Sequence, residues 1–212
     1  MGDERTRQSY DAVAAEYALH LSDELSYKPL DRALLGMVVE GATSGRPIAD
    51  LGCGPGHVTG WLAARGAAAV GIDLSPGMVA IAARDHPGAS FRVGDLRDLP
   101  ASDAEFGAVV ALYSLIHLTP DALPVAASEL HRVVEPGGAV LVAFHVGEEV
   151  RHVTDWWGHG VDLDFRFFET ELVAAHLESV GLAVEAVVER APYLEEVATR
   201  RAYLLARRPS DR

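Results

Sequence analysis

The chain has 212 residues, a formal charge of −13, 49% hydrophobic and 23% charged residues, and one cysteine. This length and balance suit a single ordinary soluble globular domain with a sizeable core, and the lone cysteine excludes an internal disulfide. The negative balance argues against a nucleic-acid partner; with no apolar run near about eighteen residues and no basic-apolar start, neither a membrane span nor a signal peptide is expected and the location is cytoplasmic.

Residues 3 to 20 place Tyr10, Val13, Ala14 and Tyr17 at i, i+3, i+4 and i+7, the spacing of an amphipathic helix. On spacing alone, two tyrosines on such a face are more often core than ligand contacts. A second helix follows from about Pro29 to Glu40, and Gly41 to Pro47 is a turn-rich link. Ile48-Ala49-Asp50-Leu51-Gly52-Cys53-Gly54-Pro55-Gly56-His57 then reads as a doubly buried strand running into a glycine turn. Val58, Trp61 and Leu62 predict a helix over 57 to 65, so the turn opens onto a helix N-terminus. The strand Ala69-Val70-Gly71-Ile72-Asp73 ends in an acid about twenty residues on, where a carboxylate commonly takes the hydroxyls of a ribose. A nicotinamide site favours G-x-G-x-x-G with pyrophosphate at the helix N-terminus. Here the spacing is G-x-G-x-G, and Asp50 two residues ahead would repel a pyrophosphate but suits a ligand bearing an ammonium group. Cys53 reads as a small residue that fits the turn, since no base stands beside it in sequence.

Asp50-Leu51-Gly52-Cys53-Gly54-Pro55-Gly56 resembles the first motif of class I S-adenosylmethionine-dependent methyltransferases. Tyr10-Asp11-Ala12-Val13-Ala14-Ala15-Glu16-Tyr17 resembles the opening Y-D-x-x-A-x-x-Y of many small-molecule members, whose first helix caps the cofactor; the resemblance implies that Tyr17 reaches the cofactor's methionyl end. Ser75 caps a helix that starts at Pro76 and carries Met78, Val79 and Ile81 on one face. Met78 is core by this pattern, whereas the resemblance lays it against the adenine ring. A third strand, Ser90 to Val93, runs into Gly94-Asp95-Leu96, again at a carboxyl strand end where open α/β sheets bind ligands. The resemblance gives Asp95 the adenine amino group and the Leu96 N–H a ring nitrogen.

Ala108 to Tyr113 is a continuous apolar run and hence a central strand. It is followed neither by the Pro-Pro-aromatic signature of adenine or glutamine methylation nor by an acid that would begin a divalent-metal site. Ser114-Leu115-Ile116-His117-Leu118 resembles a segment of bacterial small-molecule methyltransferases that borders cofactor and substrate. A helix from about Pro120 to Val134 stops at Glu135-Pro136-Gly137-Gly138, which resembles the family's post-helix turn, and a fifth strand covers Ala139 to His145.

Residues 146 to 169 break the alternation with Glu148, Glu149, His152, Asp155, Trp156, Trp157 and His159 among them. A segment of this length is either a binding lid or a surface insertion that folds its tryptophans onto the body. His145, His152, His159 and His176 lack the i, i+4 spacing of metal motifs and no cysteine joins them, so no metal is expected. Thr170 caps a helix to Val180 with Leu172, Val173, Leu177 and Val180 inward, and Ala183 to Val188 and Arg201 to Ala206 are the last strands. Arg200-Arg201 and Arg207-Arg208 read as a solvated strand edge.

The resemblance implies a Rossmann-like α/β three-layer sandwich with a seven-stranded, mostly parallel sheet of order 3-2-1-4-5-7-6, strand 7 antiparallel, and N-terminal capping helices. Residues 1–44 form the cap, 45–145 the cofactor-binding core, 146–169 the lid and 170–212 the closing helix and hairpin, all in one domain. The resemblance implies S-adenosylmethionine as cofactor, S-adenosylhomocysteine as product, and metal-independent in-line methyl transfer to the oxygen or nitrogen of a small molecule. Cofactor contacts are expected from Tyr17, Asp50, Gly52, Cys53, Gly54, Gly56, Asp73, Leu74, Met78, Asp95, Leu96, Leu112 and Tyr113. Substrate contacts are expected from His117, His152, Trp156 and Trp157, with His117 and then His145 as candidate general bases. A non-catalytic nucleoside-binding module and an NAD(P)-dependent oxidoreductase are the alternatives, and either a monomer or a homodimer is compatible with the sequence.

Overall fold

A computed structural model describes residues 2–42 and 45–210. Thr43 and Ser44, in the expected link, and Met1, Asp211 and Arg212, within the expected domain bounds, lie outside the described residues. The central sheet takes β1 (Ile48–Leu51), β2 (Ala69–Asp73), β3 (Ser90–Val93), β4 (Phe106–Leu112), β5 (Val134–His145), β8 (Ala183–Arg190) and β9 (Arg201–Arg207). Its order is β3-β2-β1-β4-β5-β9-β8, with β9 antiparallel to β5 and to β8 and the other pairings parallel. This is the order the resemblance implies once β6 (Val150–Trp156) and β7 (His159–Arg166), which pair in a sheet of their own, are counted apart.

The central strands are apolar because both their faces are covered, and alternate residues serve opposite layers. Ala49, Leu51, Val109, Ala111, Val140 and Val142 pack on one side with α5 (Leu123–Val133) and α6 (Thr170–Ser179). Ile48, Ala108, Val110 and Leu141 pack on the other with α2 (Pro29–Gly41) and α3 (His57–Ala63). A third, smaller core joins Val13 of α1 (Gly2–Leu21) to Val161 and Leu163 of β7. Ser75 accepts a hydrogen bond from the Met78 N–H and so caps α4 (Pro76–Asp85) as its position predicts.

Four expectations need correction. Residues 146–169 are largely a regular antiparallel hairpin rather than an irregular loop. Its turn is the pair Trp157-Gly158 with φ of 53° and 79°, positive at both positions as a two-residue type I′ connection requires. Thr170 does not cap α6: Glu169 holds the N-cap position without a side-chain bond, and the Thr170 hydroxyl donates instead to Glu189. Within α6, Leu172 is 41% exposed, while Val173 and Leu177 are buried. Arg201 is no solvated edge residue either, being only 3% exposed in β9, because β8 lies outside it and completes the sheet.

Candidate active site

At the carboxyl ends of β1, β2 and β4 the chain leaves a cavity of about 600 Å³, a size usual for small-molecule sites. The glycine turn forms its floor. Gly52 has φ of +71°, and a Cβ there would lie 2.3 Å from Ser114 Cβ, so this crossing of two chain segments requires glycine. Asp73 at the end of β2 is buried, which raises its pKa, and its two oxygens accept the N–H groups of Gly54 (2.8 Å) and Ser75 (2.8 Å). The carboxylate is thereby locked across the turn. Burial also raises Asp50, to about 6, although the Thr59 hydroxyl donates to it at 2.6 Å. Asp95 accepts from the backbone and guanidinium of Arg97, whose side chain holds its pKa down.

The opening helix is fastened over this edge by a residue that received no role from sequence. Asp11 accepts from the Ser75 hydroxyl and from the Gly77 N–H (2.9 Å) in the first turn of α4, where a carboxylate also meets the positive end of the helix dipole. That contact brings Tyr17 to the turn, so that a Cβ on Gly54 would lie 3.7 Å from its ring. Tyr10 and Tyr17 pack edge-on against Trp156, at 6.0 and 5.5 Å between ring centroids. Asp162 donates its N–H to Ser9 and pairs with Arg5, so α1 and the hairpin form one roof.

His117 follows β4 in a short 3-10 turn and is buried. Its Nδ1 lies 3.1 Å from the backbone oxygen of Asp164 and its Nε2 lies 2.7 Å from the Tyr10 hydroxyl. A carbonyl can only accept, so Nδ1 carries the proton and Nε2 accepts from Tyr10. Burial lowers the His117 pKa to about 4 and holds the Tyr10 hydroxyl well above its usual range. His145, at the end of β5, hydrogen-bonds Thr199 through Nδ1 at 2.9 Å and stacks on Phe167. Burial, with Arg201, Arg151 and Lys28 nearby, lowers it to about 4 as well. Tyr113, whose ring lies 5.2 Å from that of His145, takes a left-handed φ of 56°, a strained conformation for a bulky residue at the mouth of β4.

Of the residues singled out in the sequence, Tyr17, Asp50, Gly52, Cys53, Gly54, Asp73, Leu74, Asp95, Leu96, Leu112, Tyr113, His117, His145 and Trp156 all line this one cavity. Met78, Gly56, His152 and Trp157 are not among its lining residues. Met78 is fully buried in α4, and Gly56 has φ of +84° where a Cβ would meet Ala82. His152 pairs with Asp164 outside the cavity, and Trp157 stacks on Trp156 and His20. Sequence reading missed a polar end formed by Glu24, Lys28, His57, Arg151, Glu196 and Arg201. Burial raises the Glu24 carboxyl, but His57 and Lys28 more than offset it and hold its pKa at about 2. No motif marks these residues; only Lys28 beside the start of α2 and the buried register of β9 put them here.

The residues present suit a nucleoside ligand carrying positive charge. Three carboxylates, Asp50, Asp73 and Asp95, share one end of the cavity, and the buried Ser114 Oγ and His57 Nδ1 on its wall have no hydrogen-bond partner among the described residues. Among the described residues no group of three or more His, Cys, Asp or Glu is placed to hold a metal, and no helix is long and apolar enough to cross a membrane.

A methyltransferase-domain family model matches residues 48–138. A demethylmenaquinone methyltransferase from Streptomyces avermitilis is 32% identical over 190 residues, covering 88% of this chain and 75% of that protein. A malonyl-[acyl-carrier protein] O-methyltransferase from Serratia marcescens is 29% identical over 153 residues, covering 72% of this chain and 54% of its own. The chain spans about half the length of that relative and of several other curated ones. The crystal structure of magnesium protoporphyrin IX methyltransferase from Synechocystis, with S-adenosylmethionine bound, superposes with a TM-score of 0.76 over 98% of this chain and 97% of its own at 15% identity, a likeness of fold.

Proposed function

Because the chain belongs to the class I S-adenosylmethionine-dependent methyltransferases, we propose that it methylates a small molecule held under the roof of α1 and the β6–β7 hairpin. The observation that carries this reading is the continuity of one cavity from the glycine turn and Asp73 to Tyr10, His117, Trp156 and His145. In this reading a cofactor cradle and an aromatic acceptor chamber share one space. S-adenosylmethionine supplies a methyl group activated by its sulfonium, so the protein's task is alignment more than bond activation.

We assign Asp73 to the ribose hydroxyls, Asp95 and Leu96 to the adenine, and the turn Gly52–Gly54 with Tyr17, Leu74, Leu112 and Tyr113 to the remaining cofactor surface. Asp50 supplies negative potential at the cationic end. His117 is a positioning residue in this reading, because both ring nitrogens are engaged in tying Tyr10 to the hairpin. His145 keeps an Nε2 that has no hydrogen bond to any described residue, yet with a pKa lowered to about 4 it is a weak proton acceptor. A site whose two histidines are both weak bases favours acceptors that need little deprotonation.

Calorimetric titration with S-adenosylhomocysteine tests the cradle. Binding to the wild-type protein, weakened about tenfold or more by Asp73→Ala, is expected from the loss of a charge-assisted contact. No binding of either adenosyl compound, or tighter binding of NADH, would reject the assignment. Cofactor affinity without turnover of any acceptor in a homocysteine-release screen would make the protein a binding module.

A further inference from the structure

The polar end of the cavity holds a guanidinium whose donors are only partly used. Arg201 opens β9 directly opposite His145, the last residue of β5. It is 3% exposed and lines the cavity. Its Nη1 donates to the carbonyls of Val197 (3.1 Å) and Thr199 (2.6 Å). Its Nε lies 3.2 Å from Glu196 but is buried without a hydrogen bond, and its Nη2 makes none to any described residue. Glu196 has little left to offer, since it already accepts from Arg190 at 2.6 and 2.9 Å and from the Tyr193 N–H at 2.8 Å. A buried guanidinium with unspent donors costs stability unless an anion meets it.

The surroundings narrow what that anion is. Arg201 stands three strand spacings from β1, by way of β4 and β5, so roughly 14 Å separates it from the strand carrying the glycine turn. This is the acceptor side of the sheet. The adjoining walls are Tyr113, Phe165, Phe167 and Trp156, and Arg151 of the hairpin lies over the Phe167 ring at 4.7 Å. Glu195 and Glu196 also line this end and oppose a multiply charged group. A single planar monoanion on an apolar body fits; a phosphate does not.

We propose that the methyl acceptor is a carboxylic acid bound as its anion, with the carboxylate on Arg201 beside His145 and the apolar body beneath the hairpin. A carboxylate oxygen bonds the methyl carbon as its bond to the sulfonium sulfur breaks, giving a methyl ester and S-adenosylhomocysteine with no proton to remove. The low basicity of His145, which burial and the neighbouring cations impose, agrees with a partner that enters already ionised. The proposal rests on the methyltransferase reading above, and its test keeps the two apart.

Protein saturated with S-adenosylhomocysteine is titrated with benzoate, cinnamate and hexanoate and with the three corresponding carboxamides, in wild type, Arg201→Met and Arg201→Lys. At least one acid is expected to bind about tenfold or more tighter than its amide. Arg201→Met removes that preference and Arg201→Lys restores part of it, while affinity for S-adenosylhomocysteine stays within about twofold. Acids that bind no tighter than amides to the wild-type complex overturn the proposal, and this comparison decides the matter even if Arg201→Met does not fold. A parallel loss of S-adenosylhomocysteine affinity in Arg201→Met also overturns it, by placing Arg201 on the cofactor. Absence of S-adenosylhomocysteine binding by the wild type is a different result and removes the methyltransferase reading itself.

Discussion

Gly52 and Gly54 sit two residues apart in one turn, both at positive φ, yet their surroundings differ. A Cβ on Gly52 would lie 2.3 Å from Ser114 Cβ, whereas one on Gly54 has only the Tyr17 ring at 3.7 Å. Gly54→Ala therefore carries chiefly the left-handed backbone strain, about 1 kcal/mol. Gly52→Ala adds a collision between two fixed chain segments and is expected to cost about 2–4 kcal/mol, the difference being read from urea unfolding midpoints at equal m. The same contrast marks what sequence can say about single residues. Asp50, Asp73 and the glycines were legible because one strand-turn-helix unit places them all. Arg201 and Glu24 were not, because Arg201 is brought to the cavity by the pairing of β9 with β5 opposite His145, and Glu24 by its contact with His57.

Among elements, the hairpin β6–β7 has the largest gap between what sequence suggested and what forms. Its β7 strand carries a period-2 signal, Val161, Leu163 and Phe165 alternating with Asp162 and Asp164, and that alternation faces the first two apolar residues into the core with Val13. The turn hid it, since Trp157-Gly158 lacks the Asn or Asp that usually accepts left-handed φ. Trp156 then holds the hairpin against α1 through Tyr10 and Tyr17. Trp156→Ala removes a half-buried ring worth roughly 2 kcal/mol of local stability. Amide exchange in Val150–Arg166 is expected to quicken about thirtyfold, with exchange in β1 and β4 and the affinity for S-adenosylhomocysteine unchanged. Unaltered exchange in the hairpin would show that it holds its place without the Trp156 contacts to α1.

At the scale of the whole molecule, buried titratable groups set the response to acid. His117 and His145 have pKa values lowered from 6.5 to about 4, so the unfolded chain binds their protons first as pH falls. Their contribution to stability is complete above pH 6.5 and is lost as pH falls through 4. Asp50, raised from 3.8 to about 6, acts in the opposite sense, because the folded state holds its proton over that window. Asp73 and Asp31, also raised by burial, act with Asp50, while His86 and His131, lowered by burial, and Glu24, held at about 2, act with the two histidines. The larger set prevails, so the melting temperature is expected to fall between pH 6.5 and 4. Glutamine at position 117 can donate to the Asp164 carbonyl and accept from Tyr10 without titrating. His117→Gln is therefore expected to flatten the pH–melting curve relative to wild type, with little change at pH 7.5; an unchanged slope would rule out His117 as a source of the acid sensitivity.

The amino-acid sequence by itself determined the parallel core and the gathering of the glycine turn, Asp73 and Asp95 at one sheet edge, while the strand order came through the resemblance to the methyltransferases. The core and that edge rest on local rules: apolar runs make doubly covered strands, glycines make the turn, and acids ending successive strands fall on one sheet edge. Only the tertiary structure decided the chamber that we propose for the acceptor. It is assembled from α1, the hairpin, the segment after β4 and the opening of β9, which lie far apart along the chain, so no spacing within one element records it. Burial then changed the chemistry of its members, making His117 a tie between elements and turning Arg201 from a surface charge into the least satisfied cation of the site.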